Sequence, residues 1–182
     1  MLIIDHNLKA LAIDGEICAK EALIEDFCIQ IRLSNGVYYR PKQDGGKIRY
    51  GSSCKNIKNL YEEIDPTSQD SDVITLEPRQ QILACSQETY NLPKNIFGLV
   101  QTKGTLARMF VQVTCCDGQI EPGFKGKITL EIVNLSPFTI EIPPLSHVAQ
   151  LYLFNCSMSS TKDYDGKYSG SDKPTLPNFD GF

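Results

Sequence analysis

Apolar and polar residues alternate in short runs along most of this chain. Phe27-Cys28-Ile29-Gln30-Ile31-Arg32-Leu33 is one such run. Successive side chains of a strand point to opposite faces, so the pattern predicts a half-buried strand. Similar runs occupy 73–76, 81–85, 96–101, 109–114, 127–134, 138–142 and 147–154. Turn signals divide them at Glu77-Pro78, Leu92-Pro93, Pro122-Gly123, Ser136-Pro137 and Pro143-Pro144. Many short strands at this spacing predict an all-β barrel or sandwich. The run 147–154 is apolar on both faces, which predicts a central strand.

Three regions break the pattern. Residues 5–14 predict one short helix, with Asp5 as its cap and Gly15 where a C-cap glycine is favoured. Ser34-Asn35-Gly36 predicts a turn after the first strand, from which Val37-Tyr38-Tyr39 pairs back as a hairpin. Residues 41–72 predict a long surface excursion with one helical turn within 56–64. After Asn155 the chain is rich in Gly, Ser and Pro. Its aromatic residues Tyr164, Tyr168, Phe179 and Phe182 suit a lid over a site as readily as a disordered tail.

Length and composition narrow the classes. At 182 residues the chain predicts one domain over 1–182, with 155–182 as a closing tail. The net charge of -4 argues against a nucleic-acid surface. No apolar run approaches the roughly 18 residues of a membrane span, and the N-terminus has no basic leader. A cytoplasmic protein is expected. Seven cysteines without regular spacing predict buried free thiols rather than a disulfide framework. With two histidines and no Cys-x-x-Cys, a zinc site is not expected, and no P-loop or Gly-x-Ser-x-Gly elbow occurs. Cys115 and Cys116, on an expected strand end, would point to opposite faces.

Two segments carry candidate chemistry. In 127–134, Ile128, Leu130 and Ile132 share one face and Glu131 points away from them. By itself that suits an ion pair with a lysine on a neighbouring strand as well as a catalytic carboxylate. TKGTLAR (Thr102–Arg108) is a glycine turn flanked by Lys103 and Arg108, whose amides and cations could cradle phosphate oxygens. QIEPGFKGKITLE (Gln119–Glu131) carries Glu121, Phe124 and Glu131.

Taken together, the motifs resemble the dCTP deaminase branch of the dUTPase superfamily. DHNLKALAIDGEI resembles the family's opening helix, IQIRLSN its first strand, and LEPRQQILACSQETYNLP its extended segment. TKGTLAR resembles the phosphate motif Gly-Arg-Ser-Ser-Leu-(Ala/Gly)-Arg. IEPGFKGKITLE resembles the Ile-Asp-Pro-Gly motif, and VAQLYLF and GKYSG resemble the closing motifs. The resemblance implies a distorted, jelly-roll-like β barrel of the dUTPase-like (β-clip) type, with a short N-terminal helix and a flexible C-terminal tail. It also implies a homotrimer with sites at subunit boundaries. The activity implied is zinc-independent hydrolytic deamination of dCTP, or a related deoxycytidine nucleotide, to dUTP and ammonia. In that chemistry Glu131 is the general base, in a partly dry pocket, with Arg108 beside the base and the attacking water. Lys103, Gly104, Thr105, Leu106, Ala107 and Arg108 would form the phosphate turn. Glu121 and Phe124 would meet the sugar, Thr129 and Leu130 would line the strand edge, and Tyr164, Lys167 and Ser171 would come from the tail. Magnesium would ride on the triphosphate.

The match has substitutions. Lys103 stands for the family's Arg, Gly104 for its first Ser, and Glu121 for its Asp. Asp117-Gly118 stands for Ala-Gly or Ala-His, and Ser171 for Gln. Three activities therefore stay open: a dCTP deaminase, a dUTPase-like or bifunctional pyrophosphatase in which Glu121 activates water, and a nucleotide-binding regulatory trimer without catalysis.

Overall fold

A computed structural model describes residues 1–14, 17, 23–43, 46–50, 57–68, 73–162 and 164–179. Eleven strands occur among the described residues, in three antiparallel sheets. The first contains β1 (Ile29–Arg32), β11 (His147–Asn155), β6 (Ile96–Thr102) and β8 (Gln119–Ile120), in that spatial order. The second contains β3 (Tyr61–Ile64), β2 (Tyr38–Pro41), β5 (Gln81–Asn91), β9 (Lys125–Asn134) and β7 (Val111–Gln112), again in that order. β10 (Ile140–Ile142) and β4 (Ile74–Leu76) form a separate pair. The all-β expectation holds, and β11 lies between β1 and β6, with Ala149, Leu151 and Leu153 in the core and Gln150, Tyr152 and Phe154 half-buried on its other face.

Inward-facing residues of all three sheets meet in one buried cluster, including Ile31, Leu76, Ile82, Val100, Leu130, Ile132, Ile142 and Leu151. Each fully buried aliphatic side chain contributes about 1.5–3 kcal/mol relative to exposure. The helix α1 (Asp5–Asp14) packs Leu8 and Ala12 into the same cluster, because residues four apart share a helix face. Asp5 begins the helix with φ 52° and gives its N–H to the Asp26 carbonyl at 2.7 Å. Gly15 lies outside the described residues.

Several local expectations are corrected. The predicted hairpin does not form: β1 pairs with β11, whereas β2 pairs with β3 and β5. The Ser34-Asn35-Gly36 turn instead carries the chain between sheets, held by Ser34 N–H on the Cys85 carbonyl at 2.9 Å and Gly36 N–H on Ser34 Oγ at 3.1 Å. Within 41–72, the helical turn shrinks to a 3-10 turn at Ile57–Leu60, and Tyr61–Ile64 becomes an edge strand on β2. The expected strand over 109–114 is reduced to Val111–Gln112. The helix α2 (Gly104–Arg108) precedes it, and Phe110 turns the chain with φ 59°. Beyond it, Val113 gives its N–H to the Thr102 hydroxyl at 2.9 Å rather than to a strand partner.

β9 is anchored at both ends. Buried Asn134 donates to the carbonyls of Leu76, Glu77 and Phe138 at 2.9, 3.2 and 2.7 Å, and accepts from Ser136. Near the other end a bulge in β5 lets Ser86 Oγ accept the Ile128 N–H at 2.9 Å.

Candidate active site

β9 alternates buried and half-exposed residues without a break: Gly126, Ile128, Leu130 and Ile132 go inward, Lys127, Thr129 and Glu131 outward. The outward face forms the floor of a cleft of about 450 Å³. Leu83, opposite Glu131 on β5, lies beside it. The turn before β9 supplies Glu121 and Phe124 as walls, with Phe124 N–H closing on the Glu121 carbonyl at 3.0 Å.

Glu131 is held from both its main chain and its side chain. Cys115 gives its N–H to the Glu131 carbonyl at 3.1 Å, and Cys116 gives its N–H to Glu131 Oε2 at 2.9 Å. No Lys or Arg forms an ion pair with Glu131 among the described residues; the ion pair found there joins Arg32 and buried Glu88 at 2.6 Å. The cross-strand lysine pairing that strand chemistry also allowed is therefore absent among those residues.

The tail covers the cleft. Gly170 N–H bonds the Lys125 carbonyl at 2.6 Å, and Lys127 N–H bonds the Ser171 carbonyl at 2.8 Å. The hydroxyls of Thr129 and Thr175 share a hydrogen bond of 2.9 Å, and Thr175 N–H reaches Thr129 Oγ1 at 3.1 Å. Gly126 has φ 131°, and a Cβ there would stand 3.0 Å from the Ser171 backbone; only glycine allows this crossing. Tyr164 leans on Phe124 with ring centres 6.0 Å apart. Burial, then the nearby Glu121 and Asp117 carboxylates, push the Tyr164 phenol above its ordinary range. Phe179 lines an adjoining hollow beneath the tail, and Phe182 lies outside the described residues.

Glu121, Phe124, Thr129, Glu131, Tyr164 and Lys167 are thus brought into one cleft. Leu130 is not: its side chain is fully buried in the core because strand alternation turns it away from Glu131. Ser171 contributes its carbonyl to β9 and turns its hydroxyl onto the Lys173 carbonyl, lining the adjoining hollow instead. The Lys103–Arg108 turn also lies outside the cleft of its own chain. Lys103, Thr105 and Leu106 border a separate hollow with Glu141 and His147. Lys103 Nζ donates to Gln30 Oε1 at 2.8 Å, and Arg108 folds back onto the Gly104 carbonyl at 2.8 Å. A Cβ on Gly104 would meet the Arg108 guanidinium at 2.9 Å, so a larger residue there would make that flexible side chain shift. Leu106 is buried, and Ala107 N–H closes the helix on the Lys103 carbonyl at 3.0 Å.

Some cleft residues had no mark in the sequence. Lys127 and Thr175 line it, beside Tyr168, which the aromatic pattern of the tail had suggested for a lid. Lys127 could have been found, since it shares the outward face with Glu131. The Cys116 amide left no signal, because a backbone donor is independent of residue type. Asp117 lines the cleft and caps its own turn by accepting the Gln119 N–H at 3.1 Å. A Cβ on Gly118 would come 2.6 Å from the Val100 carbonyl, which explains the glycine there.

An all-β fold of this topology, with a carboxylate-lined cleft along one strand, defines a class that comparison makes specific. The model of the dCTP deaminase-like family matches residues 3–156, and the chain belongs to that family. A dCTP deaminase of Protochlamydia amoebophila is 31% identical over 180 residues, 89% of this chain and 94% of that protein. A "dCTP deaminase, dUMP-forming" of Thermobifida fusca is 26% identical over 174 residues, 94% of this chain and 86% of the relative. Among solved structures, the 2'-deoxycytidine 5'-triphosphate deaminase of Agrobacterium tumefaciens shares the fold with a TM-score of 0.61 at 19% identity. That match covers 84% of this chain and spans 46% of the Agrobacterium chain.

Proposed function

We propose that the protein is a hydrolase that deaminates dCTP, or a closely related deoxycytidine nucleotide, without zinc, at a cleft completed by a neighbouring copy of the chain. The observation that carries this reading is Glu131. It sits at the floor of a cleft, pinned by one amide and paired with no cation among the described residues. Glu131 takes a proton from a water attacking C4 of the cytosine ring, and the new C–O bond forms. The proton passes to the exocyclic 4-amino group, the C–N bond breaks and ammonia leaves, while the C4 hydroxyl becomes the carbonyl and its proton ends on N3 of the ring.

The cleft of one chain carries Asp117, Glu121 and Glu131 against Lys127 and Lys167. A triphosphate needs further cations, and Lys103 and Arg108 are the chain's match to the phosphate motif. Their absence from the chain's own cleft fits a site at a subunit boundary, with the turn supplied by the next protomer of a homotrimer. Exposed Phe110 follows that turn, and exposed Leu135 gives its N–H to the Phe110 carbonyl at 2.9 Å; the two provide apolar surface for such a contact. In this reading magnesium travels on the nucleotide triphosphate, and the cytoplasm is the setting. No cluster of three or more metal-ligating side chains occurs among the described residues. No described helix is long and apolar enough to cross a membrane.

A second reading concerns the product. Glu121 shares the cleft with Glu131, so a second water could be activated there for phosphate cleavage, giving dUMP and pyrophosphate. Purified protein with dCTP and magnesium separates the alternatives. Ammonia with dUTP supports the first reading, and ammonia with pyrophosphate the bifunctional one. Pyrophosphate without ammonia, or tight binding without product, overturns deamination.

A further inference from the structure

Cys115 and Cys116 are adjacent, and both are exposed. On a strand their side chains would diverge. A bend at 113–116 replaces that strand, so the two side chains are not held on opposite strand faces. A hydrogen bond to the Cys115 thiol, reinforced by the Glu131 carboxylate, pushes the Cys116 thiol above its ordinary range. The other described cysteines are sheltered: Cys28 and Cys85 are buried, and Cys156 is half-buried. The peptide that links the two exposed thiols carries the Cys116 N–H, the group that holds Glu131 Oε2 at 2.9 Å.

We propose that Cys115 and Cys116 form a modification site for hydroperoxides, which close the pair into a vicinal disulfide and withdraw the Cys116 N–H from Glu131. Attack can begin at either sulfur and gives the same disulfide; in one order Cys115 attacks first. Its thiolate sulfur attacks a peroxide oxygen; an S–O bond forms, the O–O bond breaks, and the departing hydroxide (or alkoxide) takes up a proton. The Cys116 sulfur then displaces the sulfenic oxygen. An S–S bond forms, the S–O bond breaks, and the Cys116 proton leaves with that oxygen as water. The two thiols together lose two electrons, and the peroxide gains them.

Geometry decides the consequence. Adjacent Cα atoms lie about 3.8 Å apart across a trans peptide, shorter than the roughly 4.4–6.8 Å that disulfides prefer. Closing the ring therefore has to turn the peptide plane between the two residues, and that plane carries the Cys116 N–H. The strain also makes the bond easy to reduce, as in labile regulatory disulfides. Loss of a hydrogen bond to a charged group corresponds to about a tenfold or larger effect on anything that depends on Glu131 placement.

The test treats the full chain with hydrogen peroxide and maps the peptide that spans Met109–Lys125 by mass spectrometry, before and after dithiothreitol. The expected result is loss of two hydrogens within that peptide, fully restored by reductant. In Cys115→Ser and in Cys116→Ser the cross-link vanishes. Amide exchange at Cys116 should rise about tenfold or more on oxidation of the unmodified sequence and stay unchanged in Cys115→Ser. Separate sulfinic acids, a link to a different cysteine, or a cross-link with unaltered Cys116 exchange each overturn the proposal. The effect on turnover, a drop of about tenfold reversed by dithiothreitol, rests on the deaminase reading. If the reduced protein is inactive, that reading fails, while the mass and exchange results still decide this one.

Discussion

Glu131 and Arg108 stand on elements of very different construction. β9 has ten residues, pairs with β5 and β7, is anchored by Asn134, and is overlaid by the tail. The helix α2 has five residues, no side-chain cap at Lys103, and an exposed Phe110 at φ 59° just beyond it. Its arginine is folded against its own backbone. The carboxylate is therefore fixed within one chain, while the basic turn lies outside that chain's cleft and, under the proposed function, would be completed by a neighbouring copy. A proton-transferring group has to be placed within hydrogen-bond reach before it is useful. A phosphate cradle can be completed on assembly.

The comparison is broken most directly at Glu131. Glu131→Gln keeps the size and the hydrogen bond from Cys116 but removes the base. Ammonia release from dCTP should fall roughly 10²- to 10⁴-fold, with nucleotide binding retained in equilibrium titration. A loss of binding as large as the loss of rate would place Glu131 in recognition instead.

Arg108→Ala should also abolish turnover, and the pair of variants tests whether the two halves belong to different chains. Mixing inactive Glu131→Gln with inactive Arg108→Ala, followed by subunit exchange, should restore about a quarter of the wild-type sites in a cyclic oligomer. No recovery after demonstrated exchange would mean that both residues serve within one protomer, and the boundary site would be wrong.

The tail is the third point of difference, since β9 has this cover and α2 does not. Gly126→Val forces a β-branched side chain into φ 131° and against the Ser171 backbone at 3.0 Å. The strain is roughly 1–3 kcal/mol, enough to release the tail. Proteolysis within 164–179 should accelerate while the β11 core stays protected. Thr129→Val should act in the same direction but by only about 1 kcal/mol, the worth of its hydrogen bonds to Thr175.

These differences also explain what the sequence disclosed. β9 was legible because its period of two is uninterrupted, and it set Glu131 against the core in advance. β11 was legible because its run is long and largely apolar, although Gln150, Tyr152 and Phe154 remain half-buried on one face. The short elements were not. The Val37–Tyr39 run has the same local pattern whether it pairs with β1 or crosses to β5, and only long-range packing decides between them. The bend at 113–116 is equally invisible, since Val-Thr-Cys-Cys favours a strand locally and is overruled by the Thr102 hydroxyl. The family motifs pointed to six side chains that the cleft brings together, Glu121, Phe124, Thr129, Glu131, Tyr164 and Lys167, but they are silent on donors such as the Cys116 amide and on the clasp at Thr175.

The smallest expected effect concerns the foundation under the basic turn. Lys103 rests on Gln30, whose strand neighbour Gln150 donates to Cys28 Sγ at 3.2 Å. Burial, and then the Glu25 carboxylate, push the Cys28 thiol from 9.0 to about 11. The folded state therefore holds this proton more tightly than the unfolded chain does. The associated stability is fully present below pH 9 and is lost as pH rises through 11. Denaturant unfolding stepped across that window should show a decline of about 1 kcal/mol attributable to this group. Cys28→Ala should start less stable, because it leaves a small void, yet show a shallower alkaline decline. An equal slope in both proteins would mean that Cys28 titrates alike in the folded and unfolded chains.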